Sequence, residues 1–180
     1  MPKPNIVNFE NNKIILRLLK RKDLPLTLSW RNQDNIRKWF LNSKTISEDV
    51  HNSWFKQYKR LDNDFVFIIL AKELDNIPIG QISLYKINFR IGTAEYGRLI
   101  IAHPDARGKG YAKQATNLLL EIGFKYFYLK EIYLEVKKDN YRARKVYLDC
   151  GFIETGIKNC LIEMKIINSQ QVNDNRMIET

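Results

Sequence analysis

The sequence is poor in the residues that mark several protein classes. Its two cysteines, Cys150 and Cys160, have no metal-ligand spacing and are too few for a disulfide framework. Its two histidines, His51 and His103, stand far apart, so no metal site is expected. Eight glycines in 180 residues exclude collagen-like repeats and Gly-rich linkers, and there is no internal repeat. The longest uncharged apolar run, Phe65–Ala71, has seven residues, whereas a spanning helix needs about 20. The stretch Met1–Asn12 lacks the apolar centre of a secretory signal. These absences predict a protein of the reducing cytoplasm with no membrane partner.

Acidic residues are also in short supply. Lys and Arg number 30 against 20 Asp and Glu, a net charge of +10. Such a balance favours anionic partners: nucleic acid, an anionic surface or a phosphorylated small molecule. The excess is uneven, with ten basic and four acidic residues between Arg107 and Lys145. Apolar residues, at 44%, suffice for a core. The length fits one domain over 1–180, with a core of about 14–167 and a polar tail from 168.

Periodicity orders the chain. Ile14–Leu19 reads as a strand, and Asp23-Leu24-Pro25 starts a helix over Leu24–Asn32. Ser47 starts another, with Val50, Trp54, Phe55 and Tyr58 as one apolar stripe running to about Leu61. Phe65–Glu73 and Ile77–Asn88 form a hairpin about Asp75-Asn76, and Ala94–Ala102 is a third strand. A helix over Tyr111–Tyr126 turns Ala112, Ala115, Leu119, Ile122 and Tyr126 to one side. Strand Glu131–Val136, helix Tyr141–Cys150 closed by Gly151, and strands Phe152–Thr155 and Leu161–Ile167 complete a mixed α/β (α+β) domain.

Between a strand and a helix lies Arg107-Gly108-Lys109-Gly110-Tyr111-Ala112. Glycines let backbone approach a ligand closely, and the helix behind them offers free N–H groups to an anion. The loop has neither Walker A nor dinucleotide-fingerprint spacing. About 30 residues downstream comes Asn140-Tyr141-x-Ala143-x-x-x-Tyr147-x-x-x-Gly151-Phe152.

Together these segments resemble the GNAT superfamily of acetyl-CoA-dependent N-acetyltransferases over roughly residues 14–167. The loop pattern is carried by Arg107, Gly110 and Ala112, the later one by Asn140, Ala143, Tyr147, Gly151 and Phe152. The resemblance implies a central, mostly antiparallel mixed sheet, flanked by helices and splayed where acetyl-CoA, the co-substrate, enters. Pantetheine would pair with the backbone of Leu99, Ile100 and Ile101. The pyrophosphate would sit on Arg107, Gly108, Lys109, Gly110, Tyr111 and Ala112. Asn140 and Arg144 would contact the coenzyme, and Tyr147 would lie near the sulfur.

The residues agree with these roles. Ala143, Val146, Tyr147 and Cys150 share a helix face, so Tyr147 points inward and its hydroxyl needs a partner. A backbone N–H near Ile101 could meet the developing oxyanion, and Tyr147 could protonate the departing thiolate. The amine must attack neutral, and two strand carboxylates, Glu95 and Glu135, could take its proton.

The N-terminal half also resembles the pseudaminic-acid-pathway acetyltransferases, which modify the 4-amino group of a UDP-linked sugar. Arg31-Asn32, Trp39-Phe40, Ser43–Ser47 and His51 carry this likeness, with Ser83–Asn88 and Leu134–Val136 extending it. It implies that Arg31, Trp39, Phe40 and His51 bind the acceptor, with Arg31 and His51 on the diphosphate. Ser83 and Glu135 would stand near the amine, favouring Glu135 over Glu95 as base. The RGKGYA loop and Glu95-Tyr96-Gly97 also resemble ribosomal-protein N-terminal acetyltransferases, so a protein N-terminus or other small amine is an alternative acceptor. A nucleic-acid module is a remote third, since the aromatics fall on core faces. The expected partner is a small molecule, met by a monomer or homodimer.

Overall fold

A computed structural model describes residues 6–168; the rest of the polar tail lies outside them. The strands are β1 (Phe9–Glu10), β2 (Ile14–Leu18), β3 (Phe65–Ala71), β4 (Ile77–Asn88), β5 (Thr93–Ile101), β6 (Glu131–Lys137), β7 (Ile153–Lys158) and β8 (Leu161–Ile167). The helices are α1 (Leu24–Asn32), α2 (Asp34–Arg37), α3 (Glu48–Tyr58), α4 (Tyr111–Glu121) and α5 (Tyr141–Asp149). The strands make one sheet in the order β1-β2-β3-β4-β5-β6-β8-β7. Every neighbouring pair is antiparallel except β5–β6. Among the described residues, no helix is long and apolar enough to cross a membrane.

Both faces of the sheet are covered, which explains why β3 is a continuous apolar run. Phe65, Phe67 and Ile69 face the larger cluster, with Ala115, Leu118 and Leu119 of α4 and Tyr147 of α5. Val66 and Ile68 face the smaller one, with Leu24 and Trp30 of α1 and Phe55 and Tyr58 of α3. Each buried Val, Leu, Ile or Phe among them stabilises the fold by about 1.5–3 kcal/mol.

Local chemistry sets the element ends. The Ser47 hydroxyl accepts the Val50 N–H and caps α3. Asp75 and Asn76 take the left-handed conformation that turns β3 back into β4. Two expectations need correction. Val50 is exposed, so the inward stripe of α3 is His51, Phe55 and Tyr58 at i, i+4 and i+7. The helix from Tyr111 loses α geometry after Glu121: Ile122–Tyr126 is a π segment, and its extra residue per turn carries Tyr126 outward to 42% exposure. Two elements had no periodic signal to reveal them: β1 is two residues long and α2 four.

Candidate active site

The sheet opens at one place. β5 and β6 pair only at Thr93–Glu131, Ala94–Ile132 and Glu95–Tyr133. β6 continues to Lys137 on β8, while Tyr96–Ile101 of β5 turn away. Along that stretch β5 has no ladder partner on its β6 side. Unpaired backbone groups of this kind can bind an extended ligand.

A bulge bends the outgoing strand. Gln81 pairs with Ile100 and Ser83 with Gly97, so an extra residue lies in β5. Arg98, within it, has φ +53°, a left-handed conformation that costs a non-glycine residue about 1–2 kcal/mol. Asp64, just before β3, is 5% exposed and takes the Arg98 guanidinium in a fork, at 2.7, 3.0 and 3.0 Å. The same guanidinium lies 4.2 Å from the Tyr85 ring centre. Two glycines allow the approach. A Cβ on Gly80 would overlap the Ile100 carbonyl oxygen, and one on Gly97 would sit 3.1 Å from the Tyr85 ring.

Beyond β5 the chain enters the glycine loop. Gly108 and Gly110 have φ +75° and +78°, and Cβ atoms there would project into open space. Gly110 is the N-cap of α4 and no side chain caps it. The first-turn amides of Tyr111, Ala112 and Lys113 thus have no capping side chain, and with the helix dipole behind them they could hold an anion. Tyr111 contributes only backbone, because its ring is buried and its hydroxyl donates to Glu73 at 3.2 Å. Arg107 reaches back to the Ala102 carbonyl and Gln33 Oε1, both at 3.3 Å, while Lys109 is exposed.

α5 brings Tyr147 to the apex of the opening. The Tyr147 ring meets Tyr96 and Phe152. Its hydroxyl has no hydrogen bond from the described residues. Burial, then Cys150, pushes its ionisation upward, so it remains a proton donor. Asn140 caps α5, its Oδ1 accepting the Ala143 N–H at 3.3 Å. Arg144 pairs with Glu154, so the side chain expected on the coenzyme is tied to β7.

Ser83, Tyr85, Glu95, Tyr133 and Glu135 share the opposite face of the sheet by register. Ser83 is buried and donates to the Gly97 carbonyl at 3.1 Å. Glu95 accepts from the Tyr85 hydroxyl at 2.5 Å and from Lys86 Nζ at 2.7 Å. Both its oxygens are engaged. Glu135 is exposed and has no ion pair among the described residues.

The acceptor-side residues separate into two groups. Arg31 lies on the Phe40 ring at 4.1 Å, and its Nη2 donates to the Asn42 carbonyl. Its Nη1 is buried without a hydrogen-bond partner among the described residues. Arg37, close enough to depress the Arg31 pKa after burial has done so, is held by Asp34 and the Ser43 carbonyl. Asn32 ties α1 to Ile46 through two hydrogen bonds, 2.8 and 2.9 Å. Trp39 is half-buried beneath Lys38. His51 stands apart from them. It is 9% exposed, shares a 3.0 Å hydrogen bond with Thr27, stacks on Trp54, and burial lowers its pKa. The structure places it as a strut between α1 and α3.

Asp64, Arg98, Tyr85 and Gly80 escaped the sequence reading. Only the alternation break at Gly97-Arg98, a glycine and a charge amid Tyr96–Ile101, carried a signal for the bulge. No group of three His, Cys, Asp or Glu suited to a metal occurs among the described residues.

Known proteins match this arrangement. The acetyltransferase (GNAT) domain family matches residues 13–153. Spermidine N(1)-acetyltransferase of Vibrio cholerae is 30% identical over 167 residues, covering 93% of this chain and 92% of the relative. The crystal structure of that organism's spermidine N-acetyltransferase in complex with CoA and spermine aligns with a TM-score of 0.79 at 28% identity, over 91% of this chain and all (100%) of that one. The apo structure of FdhC, a nucleotide-linked sugar GNAT, aligns with a TM-score of 0.79 over 96% of each chain. Its identity is 22%, and the likeness is one of fold.

Proposed function

The chain belongs to the GNAT acetyltransferase family and is an acetyl-CoA-dependent N-acetyltransferase; on that premise we propose that its acceptor is the amino group of a nucleotide-linked amino-deoxysugar of the UDP-4-amino-sugar type. The observation that carries this reading is the buried, unpartnered Nη1 of Arg31. A desolvated guanidinium N–H without an acceptor is costly, and a phosphate oxygen satisfies it. Arg37 nearby and the net charge of +10 favour the same ligand.

The groups divide the work. Backbone of Leu99–Ile101 and the Arg107–Ala112 amides hold acetyl-CoA, which supplies the acetyl group. The amine attacks the thioester carbonyl, an N–H of the bent strand stabilises the oxygen's growing charge, and Tyr147 gives its proton to the leaving sulfur. Glu135 accepts the amine proton through water, since Glu95 is held by Tyr85 and Lys86. Ser83 fixes the strand beneath the acceptor through Gly97.

A second reading, acetylation of a polyamine, is favoured by the 30% identity to the Vibrio cholerae spermidine enzyme. A polycation gains nothing from Arg31 and Arg37. The deciding experiment measures thiol release from acetyl-CoA with a UDP-4-amino sugar, spermidine and an N-terminal peptide as acceptors. Turnover of the sugar, with KM for it raised roughly tenfold or more by Arg31→Ala and KM for acetyl-CoA unchanged, supports the first reading. Turnover of spermidine or peptide alone, indifferent to Arg31, overturns it.

A further inference from the structure

We propose that Asp64 is a positioning residue for acetyl transfer: by gripping Arg98 it holds the left-handed bend of β5 and so aims the backbone of Leu99–Ile101 into the opening between β5 and β6. The inference rests on the proposed use of that backbone by acetyl-CoA, and not on the identity of the acceptor.

Three observations converge. Arg98 stands at φ +53°, a conformation disfavoured for any residue with a Cβ. The support is a two-pronged pair with a carboxylate that is itself 5% exposed, so neither partner is free to drift. The bend then falls inside the unpaired run, between Glu95, the last residue paired to β6, and Leu99–Ile101. Tyr85 closes the clamp. Its ring lies under the guanidinium, its hydroxyl is fixed by Glu95, and Gly97 leaves it room. Asp64 itself comes from the segment between α3 and β3. It therefore touches no reacting atom and acts only through the strand.

The test separates the bend from the charge. Asp64→Asn should lower kcat about ten- to a hundredfold, short of the loss from deleting an oxyanion donor outright, and should raise KM for acetyl-CoA about threefold or more, since the run that pairs with the coenzyme loses its aim while the α4 cradle is untouched. Glycine adopts positive φ freely and alanine does not. Asp64→Asn with Arg98→Gly should therefore exceed Asp64→Asn with Arg98→Ala by at least about tenfold in kcat, although both lack the ion pair. This comparison also leaves no buried guanidinium orphaned, so it serves if Asp64→Asn alone fails to fold. Equal kcat in the two double variants, or a folded Asp64→Asn within about twofold of wild type, overturns the inference. Wild-type protein that neither binds acetyl-CoA nor releases thiol from it would instead overturn the functional reading beneath it.

Discussion

Tyr147 meets Tyr96 edge to face, with ring centroids 5.4 Å apart, and Tyr96 is the first residue of β5 beyond its last pairing with β6. The contact joins α5 to the point where the sheet divides. Tyr96 is anchored in turn, its hydroxyl 2.8 Å from Thr116 Oγ1, which donates to the Ala112 carbonyl at 2.8 Å. One packed line thus runs from the proposed acid to the first turn of α4, beside the proposed anion cradle.

Replacing Tyr147 by Phe keeps that line and removes the hydroxyl. We expect kcat to fall by about 10²-fold with little change in KM, because the proton is needed as the thiolate departs. Burial raises the hydroxyl's pKa well beyond the working range. It is therefore protonated throughout, and the deficit should be constant from about pH 6 to about pH 9. A pH-rate profile checks this, and activity within about twofold of wild type would make Tyr147 a packing residue.

Gly110→Val tests the cradle. The substitution puts a β-branched residue at φ +78° and fills open space above the loop. Calorimetric titration should show at least about a tenfold loss of acetyl-CoA affinity. The core beneath, led by Ala115 and Leu119, is untouched, so near-UV circular dichroism should not change.

Gly80→Ala acts from behind the strand. Its Cβ must displace the Ile100 backbone, which should cost about 1–3 kcal/mol in denaturant unfolding. Because Ile100 lies in the unpaired run, KM for acetyl-CoA should rise as well. Loss of stability with no change in KM would show that the run does not touch the coenzyme.

His51 gives a pH test of the fold. Burial lowers its pKa when folded, so below about 6.5 the unfolded chain takes up the proton first. Its contribution is complete above the unfolded pKa and is lost as pH falls through the folded one. Thermal melts should show wild type losing more Tm than His51→Phe between pH 7.5 and pH 5. Parallel losses would mean that His51 titrates alike in both states.

What could be read in advance depended on the range of the signal. Leu24–Asn32, Ile77–Asn88 and Leu161–Ile167 have the predicted bounds, because period and turn chemistry are local. The glycine loop was legible for the same reason: Gly108 and Gly110 announce positive φ wherever they fold. Arg31 was legible as an arginine set among aromatics. Asp64 was not, since its meaning comes from Arg98, 34 positions away. The burial of His51 was not legible because its helix stripe was phased on Val50; the competing phase, one residue on, puts the imidazole inside.

The divided sheet has an energetic corollary. A strand that loses its neighbour halfway along is an edge inside the molecule, with the same unmet backbone groups that make outer edges adhesive. Whatever fills the wedge completes a ladder that the polypeptide leaves unfinished, so ligand and β6 act as successive partners of one strand. The empty protein should accordingly be the stickier species, and saturating it with coenzyme should raise solubility as well as Tm.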